Sequence, residues 1–146
     1  MITKYLLFFC CFLANSIAGF SQIHIDWNTL ADVHFEKKYE ESIGVEYDAA
    51  TFGSIIKMFE GKEVKISGYV IPLDAMGLSF VLSRNPNANC FFCGGGGPET
   101  VIDVKLKPSA IDRYSMDQRK TFKGILQLHQ DNSNSFIYVL QQAEPI

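Results

Sequence analysis

A chain of 146 residues has room for one domain of ordinary size and not for two. Its hydrophobic content of 47% is typical of a globular protein and excludes a wholly disordered chain. The formal charge of -3 leaves no basic surface of the kind that nucleic-acid binding requires, so we expect no nucleic-acid partner.

The first 21 residues have the pattern of a secretory signal peptide. Lys4 supplies the positive charge, the apolar stretch of residues 5–14 follows it, and small residues stand at Ala18, Gly19 and Ser21. An uncleaved membrane anchor is the alternative, but the apolar stretch is only about half as long as a bilayer span. The pattern therefore predicts export, with cleavage after Ser21.

Export determines which cysteines the mature protein keeps. A mature chain that begins at Gln22 has lost Cys10 and Cys11 and retains Cys90 and Cys93. We expect this mature protein to be periplasmic or secreted and to have no membrane span. Free thiols are uncommon in such oxidising compartments, so the remaining pair is the first candidate for a functional site.

The segment of residues 22–47 predicts an N-terminal arm, because apolar and charged residues alternate in it without a sustained period. Residues 31–39 within the arm predict one short strand. The apolar side chains of Trp27 and Leu30 are expected to dock on the body of the domain, which we predict to span residues 48–146.

Residues 48–61 predict one amphipathic helix at the start of that domain. Gly61 stands where a glycine commonly ends a helix. Four apolar residues have the i, i+3, i+4, i+7 spacing of a single helical stripe. They are Phe52, Ile55, Ile56 and Phe59.

Beyond Gly61 the apolar period changes from 3.6 to 2, which predicts strands. Gly68, inside the first of them, predicts a bulge or a sharp bend. The connections are too short for parallel crossovers, so we predict a mainly β fold: a small five-stranded OB-like antiparallel barrel, with a sandwich as second choice. The five predicted strands are residues 63–72, 78–83, 100–107, 120–130 and 135–143.

Residues 84–99 form a connection that is long for a compact domain, and such connections tend to be functional. The connection contains Cys90 and Cys93, which are separated by two phenylalanines and followed by four glycines. Two thiolates at this spacing are half of a tetrahedral zinc site and also suit Cu⁺. We therefore predict that Cys90 and Cys93 bind a zinc or copper ion transiently. Further ligands would come from a second protein or from His24, His34, His129 or Glu99.

The same two cysteines allow two other interpretations, a disulfide and a thiol–disulfide exchange centre. A disulfide between Cys90 and Cys93 would shape the loop, and an oxidising compartment favours it. A thiol–disulfide exchange centre would have its first cysteine at a helix N-terminus, where its pKa is lowered, but the glycines after Cys93 prevent a helix. The sequence indicates no catalytic residue. We expect a non-enzymatic binding or accessory protein with an envelope protein as partner, and a thiol–disulfide redox protein as the alternative.

The chain resembles a family of small exported bacterial proteins of uncharacterised function, of the type found in Bacteroidetes. The likeness extends over residues 27–144 and is most specific in Gly-Tyr-Val-Ile-Pro at residues 68–72 and in Cys-Phe-Phe-Cys-Gly-Gly at residues 90–95. The resemblance implies an envelope protein with an OB-like domain. A broader, similar group has a cysteine-containing, proline-rich loop at the same place, and some of its members are linked with metal uptake. For this chain the resemblance thus implies a connection with metal.

Overall fold

The computed structural model of the chain describes residues 23–42, 44–130 and 136–146. The predicted signal peptide and the predicted mature N-terminus, Gln22, lie outside the described residues. No helix in the described ranges has the length and hydropathy that a bilayer span needs.

The described residues form eight strands and two short helices. The strands are β1 (Ile23–His24), β2 (Val33–Glu40), β3 (Val45–Phe52), β4 (Glu63–Pro72), β5 (Phe80–Ser83), β6 (Val101–Leu106), β7 (Arg119–Leu128) and β8 (Tyr138–Pro145). The helices are α1 (Trp27–Leu30) and α2 (Ser54–Lys57).

Five of these strands close into a barrel, which confirms the predicted mainly β fold. The order around the barrel is β4-β5-β6-β8-β7, and β7 pairs with β4 to close the ring. Counted along the chain, this is first, second, third, fifth and fourth strand, the order of the OB fold. The barrel is mixed rather than purely antiparallel. Because β8 inserts between β6 and β7, which run in opposite directions, it is antiparallel to β7 and parallel to β6.

The glycine in the middle of β4 makes room for a tryptophan. The pairing of β4 with β7 is continuous through Gly68, so the predicted bulge is absent at this position. A Cβ on Gly68 would lie 2.6 Å from the Ser83 carbonyl oxygen and 2.9 Å from Cζ2 of Trp27. The Trp27 Nε1–H donates a hydrogen bond of 2.8 Å to the Ser67 carbonyl. The expected docking of Trp27 on the body is therefore present.

The predicted helix over residues 48–61 is wrong for most of its length. Residues up to Phe52 belong to β3, which pairs with β2 in an antiparallel hairpin, so strand pairing outweighs the helical spacing of the apolar residues. Only Ser54–Lys57 is helical. The Asp32 carboxylate fixes this start, because it accepts hydrogen bonds from the N–H groups of Ile55 and Ile56 at 2.8 and 3.1 Å.

The hydrophobic core fills the barrel and extends to the N-terminal segment. Phe80, Phe122 and Tyr138 are fully buried in it, as are Ile25 and Leu30 from the N-terminal segment. The predicted docking of Leu30 is thus confirmed. A second, smaller cluster of buried residues lies apart from this core. Its members are Ile71 of β4, Val81 of β5, Val101 of β6 and Cys90, with Phe91 and Phe136 packed against them.

Candidate functional site

The long connection between β5 and β6 folds as a series of tight turns. Three 3₁₀ turns, Asn87–Asn89, Phe91–Cys93 and Pro98–Thr100, succeed one another along it. The Asn85 side-chain amide donates to the Gly95 carbonyl at 3.3 Å and so ties the two limbs of the connection together. The sequence predicted a long functional loop here, and the loop has a defined internal structure.

The turn Phe91–Cys93 brings the two cysteines of the loop together. The Cys93 N–H donates to the Cys90 carbonyl at 3.0 Å, and the Gly95 N–H donates to the same oxygen at 3.0 Å. Both cysteines are free thiols in the structure.

Two glycines after the pair permit this turn. Gly94 has a φ of +78°, a left-handed conformation that side-chain-bearing residues rarely adopt. Gly95 packs so closely on Asn89 that a Cβ would overlap the Asn89 carbonyl. The glycine run therefore lets the loop fold back on itself immediately after Cys93.

The two thiols have different surroundings. Cys90 is completely buried, with an exposure of 0%, in the small cluster with Ile71, Val81 and Val101. Its thiol also donates a long hydrogen bond to the Asn87 side-chain oxygen, with 3.8 Å between sulfur and oxygen. Cys93 is exposed to solvent. Cys90 thus fixes the loop to the barrel, and Cys93 presents the pair at the surface.

The surroundings of Cys93 favour its protonated form. The hydrogen bond with Cys90 raises the pKa of the Cys93 thiol above its ordinary value, and desolvation raises it further. A nucleophilic cysteine needs a lowered pKa instead, because the thiolate is the reactive form. At neutral pH Cys93 is therefore protonated, and a bound metal ion would have to displace its proton.

Aromatic rings border the exposed thiol. Phe91 and Phe92 meet edge to face with ring centroids 5.5 Å apart, and Phe92 meets Phe136 in the same way at 6.1 Å. Phe92 is 50% exposed. The site thus consists of two thiols with an apolar rim, and a contacting protein would meet the rim and Cys93 together.

The structure does not bring the other candidate ligands to the pair. His24 lies in β1 and His34 in β2, and His129 follows the end of β7. Glu99 lies in the last 3₁₀ turn of the loop. Across the described ranges, no three His, Cys, Asp or Glu side chains form a group that could hold a metal ion. Further ligands for a metal at Cys90 and Cys93 would therefore come from elsewhere.

Sequence reasoning missed the residue that fastens the loop to its surroundings. The Asp117 carboxylate accepts a hydrogen bond of 2.6 Å from the Asn87 N–H, across 30 residues of chain. Asp117 has a φ of +60°, a left-handed conformation that Asp tolerates better than most residues. No local pattern in the sequence predicts such a contact, because it depends on how β5 and β7 flank β4.

Comparisons with known proteins establish the fold and nothing finer. No protein-family model matches the chain, and no match is found among curated proteins. The chain is similar to the crystal structure, at 2.45 Å resolution, of a DUF3299 family protein from Pseudomonas aeruginosa PAO1. The two align with a TM-score of 0.54 and 16% identity, over 86% of this chain and 97% of the other. At this identity the likeness shows a shared fold with a member of an uncharacterised family.

Proposed function

We propose that this protein is an exported accessory protein that binds a soft metal ion, Zn²⁺ or Cu⁺, through Cys90 and Cys93. The observation that carries the proposal is the turn Phe91–Cys93, which brings two free thiols together in one tightly folded loop. Thiolates are preferred ligands of both ions. The resemblance to a group with members linked to metal uptake supports the same function.

The different surroundings of the two thiols suit transient binding. Cys90 is held in an apolar cluster, so one ligand is already positioned before the ion arrives. Cys93 is exposed, so an arriving ion can bind this thiol first. Zn²⁺ usually takes four ligands, and a partner protein in the cell envelope would supply those that this chain does not. The ion is thus cargo that passes between proteins.

Binding through this pair requires the loss of thiol protons. Because the pKa of Cys93 is raised, the protonated form dominates at neutral pH and competes with the ion. The affinity for the metal should therefore rise with pH until the thiols are fully deprotonated. A site built from these two thiols is weaker at low pH, which also favours release.

Native intact mass measurement of the mature protein tests the proposal. The full chain is expressed in a Gram-negative host and the protein is purified from the periplasm without chelator or reductant. We expect an N-terminus at Gln22 and one bound zinc or copper ion, which is lost in the Cys90→Ser/Cys93→Ser variant and kept in a His34→Ala control. Equal metal content in the wild-type protein and the double cysteine variant would contradict the proposal.

The same turn supports a second candidate, a Cys90–Cys93 disulfide that shapes a protein-contact loop. An oxidising compartment favours it, and the mass would then be lower by two hydrogen atoms with no metal bound. A thiol–disulfide redox enzyme fits less well, because the raised pKa of Cys93, the exposed thiol, opposes thiolate formation. Absence of insulin reduction at neutral pH would agree with this ranking, and rapid reduction would reverse it.

A further inference from the structure

The hairpin of β2 and β3 leaves the outer edge of β2 without a neighbouring strand. Within the described ranges, these two strands pair only with each other. Apart from that pairing, no backbone hydrogen bond among the described residues involves residues 33–39. The residues from Glu36 to Glu40 are also exposed. An exposed strand with free backbone N–H and C=O groups can pair with a strand of another molecule.

The residues of β2 are complementary to themselves when the strand is read in the opposite direction. In an antiparallel pair of two copies of β2 with Lys37 opposite Lys37, acidic residues face basic ones and aromatic rings face each other. Cross-strand pairs of these kinds stabilise a sheet. The twofold symmetry of the arrangement makes each of them occur twice. The pairs are Glu36 with Lys38, Phe35 with Tyr39, and His34 with Glu40.

The charges favour this register over its neighbours. A pair centred on Glu36 would place two glutamates opposite each other, and a pair centred on Lys38 would place Glu36 opposite Glu40 twice. The register centred on Lys37 brings two like charges together only at its centre. There each Lys37 ammonium already has the Asp48 carboxylate of its own copy at 3.5 Å, which offsets the repulsion.

The charges that meet across this edge are not engaged elsewhere in the described part of the chain. Glu36 and Lys38 form no ion pair within the described ranges. In the hairpin they lie opposite Ala49 and Tyr47, which carry no charge. By contrast, β3 contains acidic residues but no basic residue, so its edge offers no ion pair to a second copy of itself. The distribution of charge therefore favours β2 as the edge that pairs.

We infer that the protein forms a homodimer in which β2 of one copy pairs antiparallel with β2 of a second copy, centred on Lys37. The two hairpins then form one four-stranded sheet with β3 at both edges. A single strand pair is a small interface beside the roughly 1,200–2,000 Å² of stable complexes, so the dimer is weak and reversible. This inference does not depend on the proposed metal binding, because β2 contains neither Cys90 nor Cys93.

Charge reversals on β2 test the inference. Sedimentation equilibrium measures the association of the purified protein over a range of concentrations. Reductant and chelator are present, so that neither a disulfide nor a metal ion can join two copies. The variants are Glu36→Lys and Lys38→Glu, each alone and both mixed in equal amounts. Glu60→Lys and Lys57→Glu are the controls, because they change the net charge by the same amounts at exposed positions outside the hairpin.

We expect the wild-type protein to be in a monomer–dimer equilibrium. Each β2 variant alone should dimerise roughly tenfold more weakly, because one reversal turns both contacts between residues 36 and 38 into like-charged ones. The mixture should recover wild-type affinity, since the reversed charge of each variant then faces an opposite charge on the other. Recovery also shows that both variants are folded. The two controls should dimerise as the wild-type protein does.

The register has a separate readout. Isotope-filtered NMR of mixed labelled and unlabelled protein should detect contacts between the rings of Phe35 and Tyr39, which are about 13 Å apart within one strand. A wild-type protein that stays monomeric at every concentration would overturn the inference, and so would assembly beyond the dimer. Variants that associate as the controls do, or a mixture that fails to recover, would also overturn it. None of these results bears on metal binding by the cysteines.

Discussion

Cys90 and Cys93 flank two phenylalanines, yet only one of the two thiols contributes to the packing of the protein. Cys90 lies between β4, β5 and β6 in the small cluster, and Cys93 faces solvent. The same short motif therefore contains a buried anchor and an exposed thiol. Replacement of one thiol should thus have a different effect from replacement of the other.

Serine substitution separates the two roles. Cys90→Ser places a hydroxyl in an apolar cluster, and burial of a poorly bonded hydroxyl should lower the free energy of unfolding by about 1–3 kcal/mol. Cys93→Ser should leave the free energy of unfolding nearly unchanged, because the side chain is exposed. Urea unfolding with reductant and chelator present measures both values, and equal destabilisation would contradict the assignment.

The raised pKa of Cys93 predicts a pH dependence. The hydrogen bond with Cys90 favours the protonated thiol in the folded state, so the folded pKa lies above the ordinary value of 9.0. This contribution to stability is complete below that value and is lost as the pH rises through the folded pKa. In a Cys90→Ala variant, alkylation of Cys93 by iodoacetamide should therefore begin at lower pH than in the wild-type protein. Peptide-resolved mass spectrometry measures the alkylation, and an unchanged profile would exclude the hydrogen bond as the cause.

Secondary structure elements could be predicted from sequence where their pattern is local. The alternation of residues 63–72 predicts β4, and the structure has β4 at Glu63–Pro72. The other barrel strands lie within a few residues of the predicted ranges. Each of these strands has one face toward the core, so alternation along the chain reflects the fold directly. The five-stranded barrel follows from their number and short connections.

The elements that could not be predicted depend on contacts between distant residues. β3 forms because Val33 and Phe52 pair across a hairpin, and nothing within residues 48–61 indicates the partner strand. For the same reason, the candidate site could be predicted only in part from the sequence. The thiol pair and its loop are visible in the sequence, whereas the burial of Cys90 and the hydrogen bond from Asn87 to Asp117 depend on the packing of the loop on the barrel.

The capping of α2 by Asp32 can be tested by substitution. Asp32 caps this helix from the segment before β2, so the carboxylate joins two elements that the sequence does not relate. Asp32→Ala should lower the free energy of unfolding by about 1 kcal/mol, the usual cost of a lost N-cap. Asp48→Ala is the control, because Asp48 forms only an exposed ion pair with Lys37 at 3.5 Å and should have a smaller effect. Thermal unfolding of both variants measures the two losses of stability, and a larger loss in Asp48→Ala would contradict the capping role of Asp32.

At the scale of the whole molecule, the N-terminal segment and the barrel share one core. β1 pairs with β4 in parallel, and Ile25 and Leu30 are buried together with the barrel residues. One buried hydrogen bond joins the two parts, from the Tyr138 hydroxyl on β8 to the Leu30 carbonyl at 2.5 Å. Burial raises the pKa of the Tyr138 phenol, so this hydroxyl stays protonated and remains a donor at any working pH. This hydrogen bond therefore persists across that range.

Removal of that hydroxyl should loosen the N-terminal segment. Tyr138→Phe keeps the ring that packs on Phe52 but leaves the Leu30 carbonyl buried without its donor, at a cost of about 1–3 kcal/mol. Hydrogen exchange should accelerate first in residues 23–32, because the bond joins this segment to β8. Tyr39→Phe, at an exposed tyrosine of the hairpin, is the matched control and should change neither exchange nor stability. Uniform acceleration across the whole barrel would show instead that the segment and the barrel open only as one unit.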